Sequence, residues 1–104
     1  MKDRVVKIFN TKYKIKFVDS IPSTIEGGFT FGICESQLFT IKVAIKDKNG
    51  KPLDKSIIRT SLMHELMHAI LIEGQYLGYS EDEPLVEWMA KCICSLLDQK
   101  IFNN

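Results

Sequence analysis

The sequence predicts an α+β domain, with strands first and then two helices packed on one small antiparallel or mixed sheet. Three observations carry this expectation. Apolar residues before residue 47 recur with a period of two, the stretch from Ser56 to Glu73 contains neither glycine nor proline, and a capped helical pattern runs from about Ser80 to Gln99. At 104 residues the chain makes one domain, 1–104, large enough to bury roughly 65% of its unfolded surface without staples.

The elements follow in order. Val6 to Val18 alternates well enough for a strand or a broken pair, with Lys12, Lys14 and Lys16 as the wet face opposite Tyr13, Ile15 and Phe17. Phe29 to Ile33 predicts a short strand. Phe39, Ile41, Val43 and Ile45 predict another, with Thr40, Lys42, Ala44 and Lys46 on its other face. Pro22 and Gly27-Gly28 mark the first connections, and Lys48-Asn49-Gly50-Lys51-Pro52 reads as a turn into the first helix.

That helix has a candidate N-cap at Asp54 and a stop at Gly74, which suits a left-handed position after the last turn. At 100° per residue, Ile57, His64, His68 and Leu71 share a sector, but Leu62, Leu66, Met67, Ala69 and Ile70 spread round the rest. Such a helix is expected to be a central element. After a short connection, Gln75 to Tyr79, Ser80 and Glu83 form an S-x-x-E capping box for the second helix. Leu85, Val86, Met89, Ala90, Ile93, Leu96 and Leu97 supply its apolar face.

Charge excludes some functions. With 14 basic and 13 acidic residues and a net charge of +1, nothing favours nucleic acid or an anionic membrane as partner, and a DNA-associated regulator would lack its basic surface. No apolar run is long enough to span a bilayer. Met1-Lys2-Asp3-Arg4 is charged and Val5 to Phe9 is too short for the core of a secretory signal, so a cytoplasmic protein is expected. Three cysteines agree, an odd count suiting reduced thiols. Cys92 and Cys94, two apart on a helix, point about 200° from each other and cannot share one ion.

The chemistry lies in His64-Glu65-Leu66-Met67-His68, which contains both histidines of the chain. Positions i and i+4 lie on one helical face, so both imidazoles can reach one metal ion while Glu65 projects beside it. This is the HExxH arrangement of zinc peptidases, in which the carboxylate after the first histidine serves as general base. The bland alternative is two core or solvated histidines on an amphipathic helix, but the spacing, the intervening glutamate and the lack of any other histidine all disfavour it.

A catalytic zinc needs a third protein ligand. No third histidine exists, so a carboxylate, or less readily a thiolate, must complete the site. Glu73, Glu81, Asp82, Glu83 and Glu87 are near in sequence. Glu73 lies about 140° round the same helix from His68 and cannot turn back, leaving the second helix as the donor.

Ser61 to Leu71, together with Asp82-Glu83-Pro84-Leu85-Val86-Glu87-Trp88-Met89-Ala90, resembles the small gluzincin-like metallopeptidases of bacteria, phages and mobile elements, distantly similar to the ImmA/IrrE peptidases. The likeness covers most of residues 38–98. It implies a minimal zincin fold, a Zn²⁺ cofactor, and a glutamate opening the second helix as third ligand. By that likeness Glu83 is the ligand and Glu87, four residues on, orients a ligand histidine; Glu87 is also the alternative third ligand. It further implies that Phe39 to Ile45 binds peptide substrate by edge pairing, and that targets such as repressors of mobile elements fall within range. Tyr76 and Tyr79, between the helices, are weak candidates for donors to a tetrahedral oxyanion.

The expected function is therefore zinc-dependent hydrolysis of a peptide or protein substrate. A chain of this size has little room for a lobe that builds specificity pockets, which points to a partner protein presenting the target. The rival is a non-catalytic module, either a structural zinc site or a degenerate peptidase that acts by protein binding.

Overall fold

The structure, a computed structural model, describes residues 1–23 and 28–99. The predicted connection at Gly27 lies outside the described residues. Six strands precede three helices: β1 Arg4–Ile8, β2 Thr11–Val18, β3 Ile21–Pro22, β4 Phe29–Thr30, β5 Gly32–Glu35 and β6 Thr40–Ala44, then α1 Lys55–Glu73, α2 Leu77–Ser80 and α3 Glu83–Asp98. The class is α+β.

The first alternating segment is a broken pair. Phe9 takes a φ of 54°, and the chain reverses over Phe9-Asn10 so that Ile8 faces Thr11 and Arg4 faces Ile15. Side chains on β2 then alternate: Tyr13 and Ile15 are buried, while Lys12 and Lys14 are exposed on the other face. The main sheet has the order β1-β2-β6-β5. β2 and β6 run parallel, with Ile15 opposite Ile41, and β5 returns antiparallel to β6, with Gly32 opposite Val43. β3 and β4 form a separate antiparallel pair.

Two predicted strand boundaries change. Phe29 to Ile33 is divided between β4 and β5. Phe39 is not in a strand: it ends a 3₁₀ turn, Ser36–Leu38, with φ 48° and is 48% exposed. A left-handed residue reverses the chain there instead of extending it.

α1 lies between two apolar layers. On one side Ile58 and Ala69 pack with Tyr13, Ile15, Ile41 and Val43 of the sheet. On the other, Met67 packs with Val86 and Ala90 of α3, flanked by Met63, Leu71, Met89 and Ile93. This sandwich explains why the α1 sequence is apolar nearly all round, although Ile57 and Ile70 remain partly exposed. Among the described residues no helix is long and apolar enough to cross a membrane.

The helix boundaries carry two corrections. Gly74 has an ordinary φ of −83°, and the left-handed residue is Gln75, φ 70°. Tyr76 N–H donates to Leu71 C=O and Gln75 N–H to Ile72 C=O, which is a Schellman stop with Gln75 in the position commonly taken by glycine. Gly74 has a different constraint, since a Cβ there would stand 3.1 Å from the Ile70 carbonyl oxygen. Ser80 and Glu83 form no capping box. Asp82 caps α3 by accepting from Leu85 N–H at 3.1 Å, while Ser80 belongs to α2, a short helix inside the predicted connection.

Candidate metal centre

The i,i+4 spacing brings His64 and His68 onto the same side of α1, with Nε2 atoms 3.2 Å apart. Glu83, in the first turn of α3, reaches both: Oε2 lies 2.9 Å from His64 Nε2 and Oε1 3.0 Å from His68 Nε2. Ligands at 2.0–2.1 Å from a tetrahedral ion stand about 3.3–3.4 Å apart, so these separations are close to the edges of a zinc-sized tetrahedron. His64, His68 and Glu83 could hold a metal ion.

The partners of the other ring nitrogens fix the direction of the lone pairs. A carboxylate only accepts, so His64 Nδ1–H donates to Glu87 Oε2, at 2.6 Å. Ser80 Oγ lies 3.2 Å from His68 Nδ1 and donates its own proton to the His68 carbonyl oxygen at 3.4 Å, leaving Oγ to accept from Nδ1–H. In the neutral rings both Nε2 atoms therefore present lone pairs to the same point as the Glu83 carboxylate. Three acceptors crowded together repel one another unless a cation lies between them.

Ser80 is the site residue that the sequence reading misplaced. Its S-x-x-E spacing with Glu83 suggests a cap, whereas the α2 turn buries its hydroxyl against His68. Ser80→Ala is expected to weaken metal affinity by about tenfold while leaving the fold intact, because the imidazole loses its orienting acceptor. Zinc titration against a chelating dye would read this, and unchanged affinity would remove Ser80 from the site.

Glu65 follows His64 on α1 but turns toward the sheet and is only 7% exposed. Its pKa is pushed up to about 7, first by burial and then by the charges of Glu83 and Glu87, with His64 acting in the opposite direction. A dication at the neighbouring donors would also act to lower it. Among the described residues its carboxylate has no hydrogen-bond partner, and its Cγ and carboxyl group lie against Gly32 of β5.

Glu65, His64, His68, Glu83 and Ser80 open onto one cleft of about 900 Å³, walled by β5 and by one face of α1 from Ser56 to Ile72. Cys34 lines the β5 wall. Burial, reinforced by the charges of Glu65, Glu73 and Glu35, pushes its thiol up to about 12, so it is a protonated wall residue and a poor ligand or nucleophile. Glu73 is far from the donors in function as well as direction: it accepts from Thr11 Oγ1 at 2.7 Å and from Tyr13 OH at 2.8 Å, tying the end of α1 to β2. Tyr76 and Tyr79 are 60% and 57% exposed, their rings 6.0 Å apart, and neither lines the cleft.

The strand beside the cleft is β5. β6, which contains most of Phe39 to Ile45, lies between β2 and β5, so its backbone is paired on both sides and it has no edge to offer. That corrects the edge-pairing expectation. Ala44 N–H donates to Phe31 C=O, and the β5–β6 register then makes Ile33 and Lys42, and Glu35 and Thr40, the hydrogen-bonded pairs. By alternation the N–H and C=O groups of Gly32 and Cys34 point to the outer edge, over the cleft.

No family model matches the chain, and no curated protein or solved structure does either. The reading of the site rests on its own geometry.

Proposed function

We propose that the chain is a zinc-dependent endopeptidase in which His64, His68 and Glu83 hold the metal and Glu65 is the general base. The observation that carries this reading is the convergence of two imidazole Nε2 atoms and one carboxylate at separations of 2.9–3.2 Å. Two nitrogens and an oxygen suit zinc, whereas calcium and magnesium prefer all-oxygen sets. Three protein donors leave a fourth position open, the arrangement of catalytic rather than structural zinc.

Bound zinc would polarise a carbonyl oxygen and lower the pKa of a water towards about 7. The chain's residues do the rest. Glu65 takes the proton of the attacking water and later delivers it to the leaving amine nitrogen. Glu87 and Ser80 hold the two rings in the tautomer that points Nε2 at the metal. The outer edge of β5 receives an extended peptide through the N–H and C=O groups of Gly32 and Cys34, and so aligns the scissile bond over α1.

The cleft also supports action on internal bonds. Its lining includes Glu65, Glu83 and Glu87 but no lysine or arginine among the described residues, so nothing there reads the carboxylate of a chain end. Substrate side chains that enter it are expected to be neutral or basic. A protein partner that presents the target fits a domain of this size, and no nucleic-acid or membrane role is proposed.

Hydrolysis of unfolded casein tests the reading. Activity is expected to vanish on metal removal, to return with one equivalent of zinc, and to be blocked by a hydroxamate. Zinc-loaded protein that binds no hydroxamate would lack an open coordination position and would favour a zinc that only ties α1 to α3.

A further inference from the structure

Gly32 lies on β5 beside Glu65. A Cβ built on Gly32 would stand 2.9 Å from Glu65 Cγ, 3.1 Å from Oε2 and 3.3 Å from the carboxyl carbon. The first distance is shorter than carbon atoms tolerate, so a side chain at residue 32 and the present position of the Glu65 side chain exclude each other. The φ of Gly32 is not in the left-handed region. The glycine is therefore not required by the strand backbone, and strands disfavour it on entropic grounds. What needs it is the space taken up by Glu65.

Two further observations give this contact consequence. Glu65 is 7% exposed, and among the described residues no hydrogen bond holds its carboxylate, so its contact with the β5 wall constrains where it stands. Gly32 also directs its backbone N–H and C=O to the outer edge of β5, over the same cleft.

We infer that Gly32 is a positioning residue: its bare Cα seats the Glu65 carboxylate against the strand that aligns the substrate, so base and scissile bond share one reference. The inference rests on the peptidase reading. Because the three nearest atoms that a new Cβ would meet all belong to the Glu65 side chain and none to backbone, Gly32→Ala is expected to shift Glu65 without breaking the strand. Misplacement of a reacting group by about 1 Å costs up to a hundredfold in rate.

The test compares wild type, Gly32→Ala and Gly78→Ala, the last a control because nothing lies within 4 Å of a Cβ there. Gly32→Ala is expected to bind zinc within twofold of wild type, to lose about 10- to 100-fold in kcat with KM changed less than threefold, and to show a displaced Glu65 carboxylate in a crystal structure. Gly78→Ala should match wild type. Wild-type kcat in Gly32→Ala, or an unmoved Glu65, overturns the inference and leaves the peptidase reading standing. Absence of hydrolysis by zinc-loaded wild type instead ends the peptidase reading, and the displacement of Glu65 in the crystal still decides the contact. Should Gly32→Ala melt too early to assay, Gly32→Ala combined with Glu65→Ala separates the causes. Recovery of Tm in the double variant supports the contact, and an equally low Tm refutes it.

Discussion

Glu65→Gln is expected to keep its zinc and lose hydrolysis by a hundredfold or more, the scale of a removed general base. The amide has nearly the shape of the carboxyl and fits the same space beside Gly32. It is not one of the three converging donors, so metal content should not change. The substitution also removes a carboxyl whose burial is costly when ionised, so Tm should hold or rise slightly. Metal analysis beside a casein assay checks all of this. A Glu65→Gln protein that retains full activity would transfer the base role elsewhere, and one that loses zinc would make Glu65 part of the metal cage.

The second large effect separates the two glutamates of α3. Glu83 touches both Nε2 atoms, so Glu83→Ala leaves only two donors and should lose most zinc affinity. Of the two imidazoles Glu87 touches only His64, at Nδ1, while its other oxygen pairs with Lys91, and removing it should weaken zinc by about 10- to 100-fold, the usual cost of an orienting partner. Competition with a chelator of known affinity measures both variants. The reverse order, with Glu87→Ala the more damaging, would make Glu87 the ligand. Neither substitution should greatly lower Tm in the metal-free protein, because Glu83 is exposed, Glu87 is half-exposed, and pairs near the surface contribute little.

How far the sequence discloses this arrangement depends on the range of the interaction. The α+β order, the boundaries of α1 and its central place follow from local periodicity, because an apolar surface all round a helix requires a layer on each side. The two histidines also meet locally, through one helical turn. Glu83 comes from another element, and helix geometry narrows the donor only to the start of α3; the choice between Glu83 and Glu87 depends on how α3 crosses α1. Ser80 was hidden for a different reason. Its spacing fits a cap as well as α2, and only the tertiary contact with His68 distinguishes them.

The strand order shows the same limit. Alternation in Thr40 to Ala44 marks a strand but says nothing about its neighbours, and β5, with one open edge, is four residues long. Its glycine weakens the strand signal in the sequence, yet that glycine admits Glu65. The left-handed positions at Phe9, Phe39 and Gln75 are also unreadable from residue type, since glycine or asparagine would be expected there.

The most direct measurement of the central claim is the zinc content of the chain purified without a histidine tag. One zinc per chain by elemental analysis, lost to a strong chelator and regained in a one-to-one titration, is the expected result. Protein that is folded but metal-free, and that takes up no zinc when titrated, would contradict the account.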